Sequence, residues 1–452
     1  MKKELSTFDL SMIVISLVIG MGIFRSSVEV ANAASSPKIF FSAWIAGGII
    51  ALFGALTFAE IGSRYPVTGG YYKVFSYCYH PSIAFTVNSI ALISNAASLS
   101  AVALVGVGYL KGLLPAAMQT DFAVQMIALI TIIAFLLLNF TGFKMSVRTQ
   151  NFLMMAKIGI VLLLCLGIFF PSQVASSPIS LVAPEGTGNV IRAFGAALIA
   201  VSFTYGGYQQ SINFGAEVKR PAKTVPKAIF IGIAVIIVLY CLINYAYYNV
   251  LGFEGIIYNN EGVVSKSDLA ARHVGAMFGS GAYNMMSLLL FFAVLGYVNV
   301  GLMSNPRVMY AMAEDKVLPE IVKKVNRKTQ VLTVALPLFA AVAIVTLFFS
   351  TSFDIIVNWV IFLDSIALAS AAGSIFILRK RTKHLDKTGI YKMKLYPVMP
   401  LIYIGAYIFI AVNCVMTDPI GTTYGMMLFA ALFLLYFIIQ HKNKSKKHVS
   451  DI

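Results

Sequence analysis

Gly20-Met21-Gly22-Ile23-Phe24 lies in the middle of an apolar run from about Phe8 to Ala33. That run can cross a bilayer, which takes roughly 20 apolar residues. Two glycines two apart are costly there, because Gly in a helix interior costs about 1 kcal/mol relative to Ala. A break at that depth is tolerated where it lines a cavity inside the protein, and it then offers free N–H and C=O groups to a ligand. Close helix packing is the other use of glycine in a membrane helix. Phe203-Thr204-Tyr205-Gly206-Gly207 interrupts a second apolar run in the same way. The start of a half-helix suits a carboxylate, through its N–H groups and positive dipole end. The end of a half-helix suits an ammonium, through its carbonyls. Lys157 and Asp364 are ionisable side chains inside apolar runs. Lys157 is roughly 12 Å in from the end of its run at 1.5 Å per residue. Such residues are functional hypotheses by default. The bland alternatives are snorkelling for Lys157 and a satisfied structural carboxylate for Asp364.

These residues need a membrane scaffold, and the composition supplies one. Of 452 residues, 59% are hydrophobic and 12% charged, against about a quarter charged in a soluble domain. The apolar runs define twelve spans, at about 8–33, 39–63, 82–110, 122–140, 150–170, 190–214, 227–251, 277–303, 332–350, 354–378, 396–415 and 422–440. The first has no small-residue cleavage site, so it reads as a retained span and not a signal peptide. The second carries Ala43, Gly47, Ala51 and Ala55, a small-residue stripe suited to close packing. With the N-terminus in the cytoplasm, the loops place 27 Lys and Arg inside and 5 outside, which sets both termini inside. The net charge of +16 is therefore a topology signal and a possible lipid contact. Nucleic-acid surfaces instead cluster basic residues on one folded face.

Spans one and six are both interrupted, and they start on opposite sides of the membrane. Paired interruptions in two inverted halves point to a transporter site at the midplane. The expected organisation is a first five-helix repeat over 1–170, an extracellular connection over 171–189 and a second, inverted repeat over 190–380. Helices 11 and 12 follow over 381–440, then a basic cytoplasmic tail over 441–452. The fold class is all-α and polytopic, with discontinuous helices 1 and 6.

The sequence resembles the amino acid–polyamine–organocation transporter family, within it the neutral amino acid transporters, along nearly its whole length. The resemblance is carried by five segments in order: Gly20–Phe24; Glu60-Ile61-Gly62 with Pro66 and Gly69-Gly70-Tyr71; Phe203–Gly207; Glu217-Val218-Lys219-Arg220-Pro221 with Pro226; and Tyr310–Asp315 with Leu318-Pro319. It implies a leucine-transporter-like fold and secondary transport of amino acids across the plasma membrane. It implies a substrate site at Ile19, Gly20, Met21, Gly22, Ile23, Phe203, Thr204, Tyr205, Gly206 and Gly207. Main-chain groups would hold both ends of the zwitterion, with Phe203 and Tyr205 as walls or gates, or as ordinary packing. Met21 departs from the small residue usual at its position, which bears on substrate size. Lys157 looks like the fifth-helix lysine that replaces sodium in sodium-independent members. It would exchange a proton or act as a fixed cation. Arg25 and Asp364 are gating candidates, Arg25 with Glu29 one turn on. Glu60 and Glu217 lie among Arg64, Lys219 and Arg220 as inner-face ion pairs.

Other classes are disfavoured. The five histidines (His80, His273, His384, His441, His448) are scattered, no H-E-x-x-H or P-loop occurs, and the four cysteines lack metal-type spacing. No enzyme activity, cofactor or metal is expected. Cationic amino acids or polyamines, and a transporter-like nutrient sensor, remain as alternatives. Some animal relatives join a single-span glycoprotein through a cysteine between spans three and four. Residues 111–121 here contain none, so no disulfide-linked subunit is expected.

Overall fold

The computed structural model describes residues 2–20, 22–170, 186–259, 262–263, 269–348, 353–387 and 389–450. Met21 and residues 171–185 of the predicted connection lie outside the described residues. The first span is two helices, α1 (Thr7–Val18) and α2 (Gly22–Ala34). At the start of α1, Ser6 Oγ accepts from Asp9 N and the Asp9 carboxylate accepts from Ser6 N, which satisfies two donors at the helix end. There follow α3 (Pro37–Arg64), the short α4 (Gly70–Cys78), α5 (Pro81–Leu110), α6 (Asp121–Thr141) and α7 (Phe143–Cys165). The second half holds α8 (Thr187–Tyr205), α9 (Pro221–Ile257), the short α10 (Leu269–Phe278), α11 (Ser280–Glu314), α12 (Ala335–Phe348) and α13 (Phe353–Arg381). The chain closes with α14 (Val398–Thr417) and α15 (Pro419–Ser450).

The protein is an all-α, multi-pass membrane protein. Among the described residues, eleven helical segments are long and apolar enough to cross a bilayer. The shorter apolar α12 stands at the predicted ninth span. It starts later than expected because Leu332 pairs with Val325 in an antiparallel bridge, which takes the first residues of the run into a turn.

The packing between the halves is reciprocal. The first helix of one half lies on the second of the other in both directions, α1 on α9 and α8 on α3. Second packs on second (α3 on α9) and third on third (α5 on α11). The small-residue stripe of α3 faces α8: a side chain at Gly47 would run into Val201 and touch Tyr205. Polar side chains tie the outer helices to this core. Asn299 on α11 donates to Gln150 Oε1 (2.8 Å) and Ser146 O (3.1 Å) on α7, and Asn139 on α6 donates to Asn299 Oδ1 (2.9 Å). Each such bond between membrane helices contributes about 1 kcal/mol.

Candidate functional site at the two helix breaks

α1 stops where Ile19 leaves helical geometry (φ −74°, ψ 75°). Its N–H still donates to Ile15 O at 2.7 Å, and Gly20 N donates to Val18 O at 2.7 Å. α8 stops at Tyr205, and Gly206 N turns back to Phe203 O at 3.2 Å. Gly207 has φ +111°, a region that disfavours a Cβ. Its N–H donates to Gln209 Oε1 at 3.0 Å. Beyond it the chain runs as a 3-10 turn, Tyr208–Asn213, and not as a second α-helical limb.

The two breaks meet. A Cβ on Gly22 would lie 2.8 Å from Thr204 Cγ2 and 3.3 Å from Thr204 Cα. A Cβ on Gly207 would collide with the Leu17 carbonyl. Glycine is thus required at both contacts for close approach of the interrupted helices. α2 begins at Gly22, so its first-turn N–H groups, which have no intrahelical acceptor, lie beside the end of α8.

The carbonyls at the breaks have specific partners. Lys157, on α7 and 0% exposed, donates from Nζ to Ile19 O at 2.6 Å. Beside it, Ser16 Oγ donates to Gly296 O on α11 at 3.1 Å. An ammonium at the C-terminal end of α1 is also favoured by the helix dipole. Tyr240, on α9, places its hydroxyl 3.2 Å from Val18 O and 3.4 Å from Thr204 O. One hydroxyl therefore spans the ends of both interrupted helices. The sequence reading missed Tyr240, whose only mark is a phenol inside the apolar run of span seven.

Other expected site residues separate into distinct settings. Ile19, Ile23, Thr204 and Tyr205 are buried, while Gly20, Gly22, Gly206 and Gly207 are partly exposed. Tyr205 packs against Trp44 (5.9 Å between centroids) and Tyr240 (5.0 Å), so it belongs to an aromatic cluster behind the break. Phe203 is 52% exposed. Arg25 lies 3.9 Å from Glu29 on α2. Asp364, on α13, lines a polar cavity of about 40 Å³ with residues of α5, α11 and the turn after the second break.

Ion pairs join the helices at the face from which α1 starts. Glu60 accepts from Arg64 Nε (2.7 Å) and Arg379 Nη2 (2.7 Å). Glu217 pairs with Arg307 on α11, at 2.9 Å from Nε to Oε2 and 2.9 Å from Nη2 to Oε1. Its partner is thus a distant arginine and not the neighbouring Lys219 or Arg220. The reason is the 3-10 turn Gly215–Glu217, which buries the carboxylate. The Arg307 guanidinium lies between the rings of Phe143 and Phe214. Ahead of α1, Glu4 N and Leu5 N both donate to Glu217 O, and Lys219 N donates to Leu5 O.

A polytopic helical protein in which two interrupted helices meet beside a buried lysine has the architecture of a broken-helix membrane transporter. The chain belongs to the amino acid permease family, which it matches over residues 5–438. It is 27% identical to the serine/threonine exchanger SteT of Bacillus subtilis, over 98% of both chains. It is 24% identical to the human large neutral amino acids transporter small subunit 2, over 98% of this chain and 82% of that one. It is 26% identical to the branched-chain amino acid permease BcaP of Bacillus subtilis, over 96% and 93%. These relatives are transporters, and this chain is one by family, not an enzyme.

Proposed function

We propose that the protein is a sodium-independent secondary transporter of neutral L-amino acids, working by alternating access in the cell membrane with both termini cytoplasmic. It acts as an exchanger or a proton symporter. The observation that carries this reading is Lys157 Nζ on Ile19 O at 2.6 Å. A tethered ammonium there takes the place of a mobile cation at the end of α1. Exchange is favoured by the name of the serine/threonine exchanger among the relatives.

The substrate carboxylate would be held by the N–H groups at Gly22–Phe24 and its ammonium by the carbonyls around Gly20 and the end of α8, with Thr204 close to both. Desolvated main-chain groups then replace the water that the zwitterion loses. Lys157 and Tyr240 hold those helix ends in place. Arg25 and Phe203 stand at the partly exposed side as gating candidates. The reciprocal helix packing supports halves at 1–170 and 190–380, joined by 171–189, with 381–440 added outside. No disulfide-linked subunit is proposed, and migration as one chain on a non-reducing gel from native membranes would agree with that.

The test is uptake of radiolabelled amino acids into proteoliposomes, with a proton gradient, with sodium, or with unlabelled amino acid inside. Lys157→Ala runs beside wild type and is expected to lose at least 90% of uptake. Accumulation driven by protons into empty vesicles marks a symporter. Uptake only into preloaded vesicles marks an exchanger. Sodium dependence would sink the role given to Lys157, and binding without flux would make the protein a sensor.

A further inference from the structure

The cavity at Asp364 adjoins the second helix break. Gln209, on its wall, is bonded to Gly207 N at the second break. Gly20, at the first break, abuts Tyr297: a Cβ there would lie 3.4 Å from the ring. The first break meets the second where Gly22 lies against Thr204. A substrate held by its main-chain ends at the breaks therefore has this cavity within reach of its side chain.

The wall is rich in acceptors. Gln210 donates to Asn95 Oδ1 (3.2 Å), Asn95 to Asn305 Oδ1 (2.8 Å) and Asn305 to Gly301 O (3.0 Å). These amides direct their donors along the chain of side chains. Asn88, 1% exposed, gives its amide to Ala84 O (2.9 Å), and its Oδ1 has no partner among the described residues. Asp364 receives no hydrogen bond or ion pair from any described residue, and no Lys, Arg or His among the described residues lines the cavity. A buried acceptor without a donor, as Asn88 Oδ1 is here, is costly, and beside the partly buried Asp364 carboxylate it favours a ligand that brings a donor over one that does not. The volume of about 40 Å³ admits on the order of one to three water-sized groups. A one- or two-carbon hydroxylated side chain fits, whereas the stem of lysine or an aromatic ring does not.

We propose that this cavity receives the side chain of the transported amino acid, and that Asp364 and Asn88 select small side chains carrying a hydroxyl. Serine and threonine are then the preferred substrates, against alanine and valine of nearly equal size. The inference rests on the transport reading and makes Asp364 a specificity residue. A site built to bond a hydroxyl rejects the analogue lacking it much more strongly than an apolar pocket rejects an extra methyl.

The experiment measures kcat/KM for threonine and valine, serine and alanine, and lysine, in proteoliposomes preloaded with a mixture of neutral amino acids. Wild type is expected to favour threonine over valine by at least about tenfold. Asp364→Leu is expected to bring that ratio within about threefold of unity while valine uptake persists. A wild-type ratio below two, efficient lysine transport, or an Asp364→Leu protein with the wild-type ratio overturns the inference. If Asp364→Leu carries nothing, Ala91→Leu, which fills the same cavity from α5, decides. Loss of threonine with alanine retained supports the placement, and equal loss of both overturns it. If wild type carries no amino acid at all, the transport reading itself has failed. Transport without the threonine preference fails this inference alone.

Discussion

A buried polar side chain persists where it satisfies a group that would otherwise stand alone. Lys157 does this for Ile19 O, and Tyr240, with one hydroxyl proton to give, lies within reach of Thr204 O and of Val18 O, which Gly20 N already serves. His273 does it outside the spans. Its Nε2 lies 2.9 Å from Leu164 O at the end of α7, and its ring packs edge-on against Tyr247. With Nε2–H donating, Nδ1 faces no partner among the described residues, so a second proton has nowhere favourable to go. Burial pushes its pKa down to about 4, against the opposing effect of the Leu164 bond. The unfolded chain then binds a proton more readily than the folded one between pH 6.5 and about 4. Stability is fully present above pH 6.5 and is lost as pH falls through that window, by about 3 kcal/mol at most from this group. Thermal unfolding of detergent-solubilised wild type should show a falling midpoint from pH 6.5 to 4. His273→Gln, which keeps an amide donor for Leu164 O, should flatten that slope, and an unchanged slope would refute the assignment.

Elements act here through where they stop. The contact between α2 and α8 leaves no room for a Cβ at Gly22, since Thr204 Cγ2 would be 2.8 Å away. Gly22→Ala should therefore lower uptake by about tenfold, equal to some 1.4 kcal/mol of lost transition-state stabilisation, while the protein still folds. Thr204→Ser removes the offending methyl, so the double variant should regain most of the loss. Additive losses in a double-mutant cycle would mean that the two helices do not meet at these residues. The same contacts mark how much could be read in the chain. The breaks were legible because Gly20, Gly22, Gly206 and Gly207 punctuate runs too apolar to be loops. Lys157 was legible because an ammonium inside such a run demands an explanation. Tyr240 was not, because a phenol among aliphatic residues carries no periodic or spacing signal. Nor was the Arg307 partner of Glu217, since a pairing across 90 residues is set by how α11 packs. The 3-10 form after Gly207 is accompanied by a local bond from Gly207 N to Gln209 Oε1 that no apolar pattern encodes.

On the proposed topology, with the N-terminus in the cytoplasm, the question at the scale of the whole molecule is what keeps the inner face shut. Glu217 sits where three elements converge. Its carbonyl receives both N–H groups of Glu4 and Leu5 ahead of α1, and its carboxylate holds Arg307 of α11. The interrupted span six continues directly into this residue. On that topology, a movement of α1 away from Glu217 would separate the backbone pairing of Leu5 with Val218, which lies next to the buried Glu217–Arg307 ion pair. Removing one partner of a buried pair costs about 3–5 kcal/mol, because the other charge is left uncompensated. Glu217→Gln should therefore destabilise the closed inner face more than the substrate contacts, which lie several turns away. A difference of about 3 kcal/mol would shift the balance between closed and open inner faces by roughly a hundredfold. The expected result is a cysteine at position 5 (Leu5→Cys) that reacts faster with a membrane-impermeant maleimide applied to inside-out vesicles. Transport at saturating substrate should fall by at least about tenfold, because return to the inner-closed state becomes limiting. KM would move much less than the maximal rate. Equal labelling in the presence and absence of Glu217→Gln would show that the ion pair is a static brace, and the closure of the inner face would then rest on the Glu60–Arg379 pair between α3 and α13.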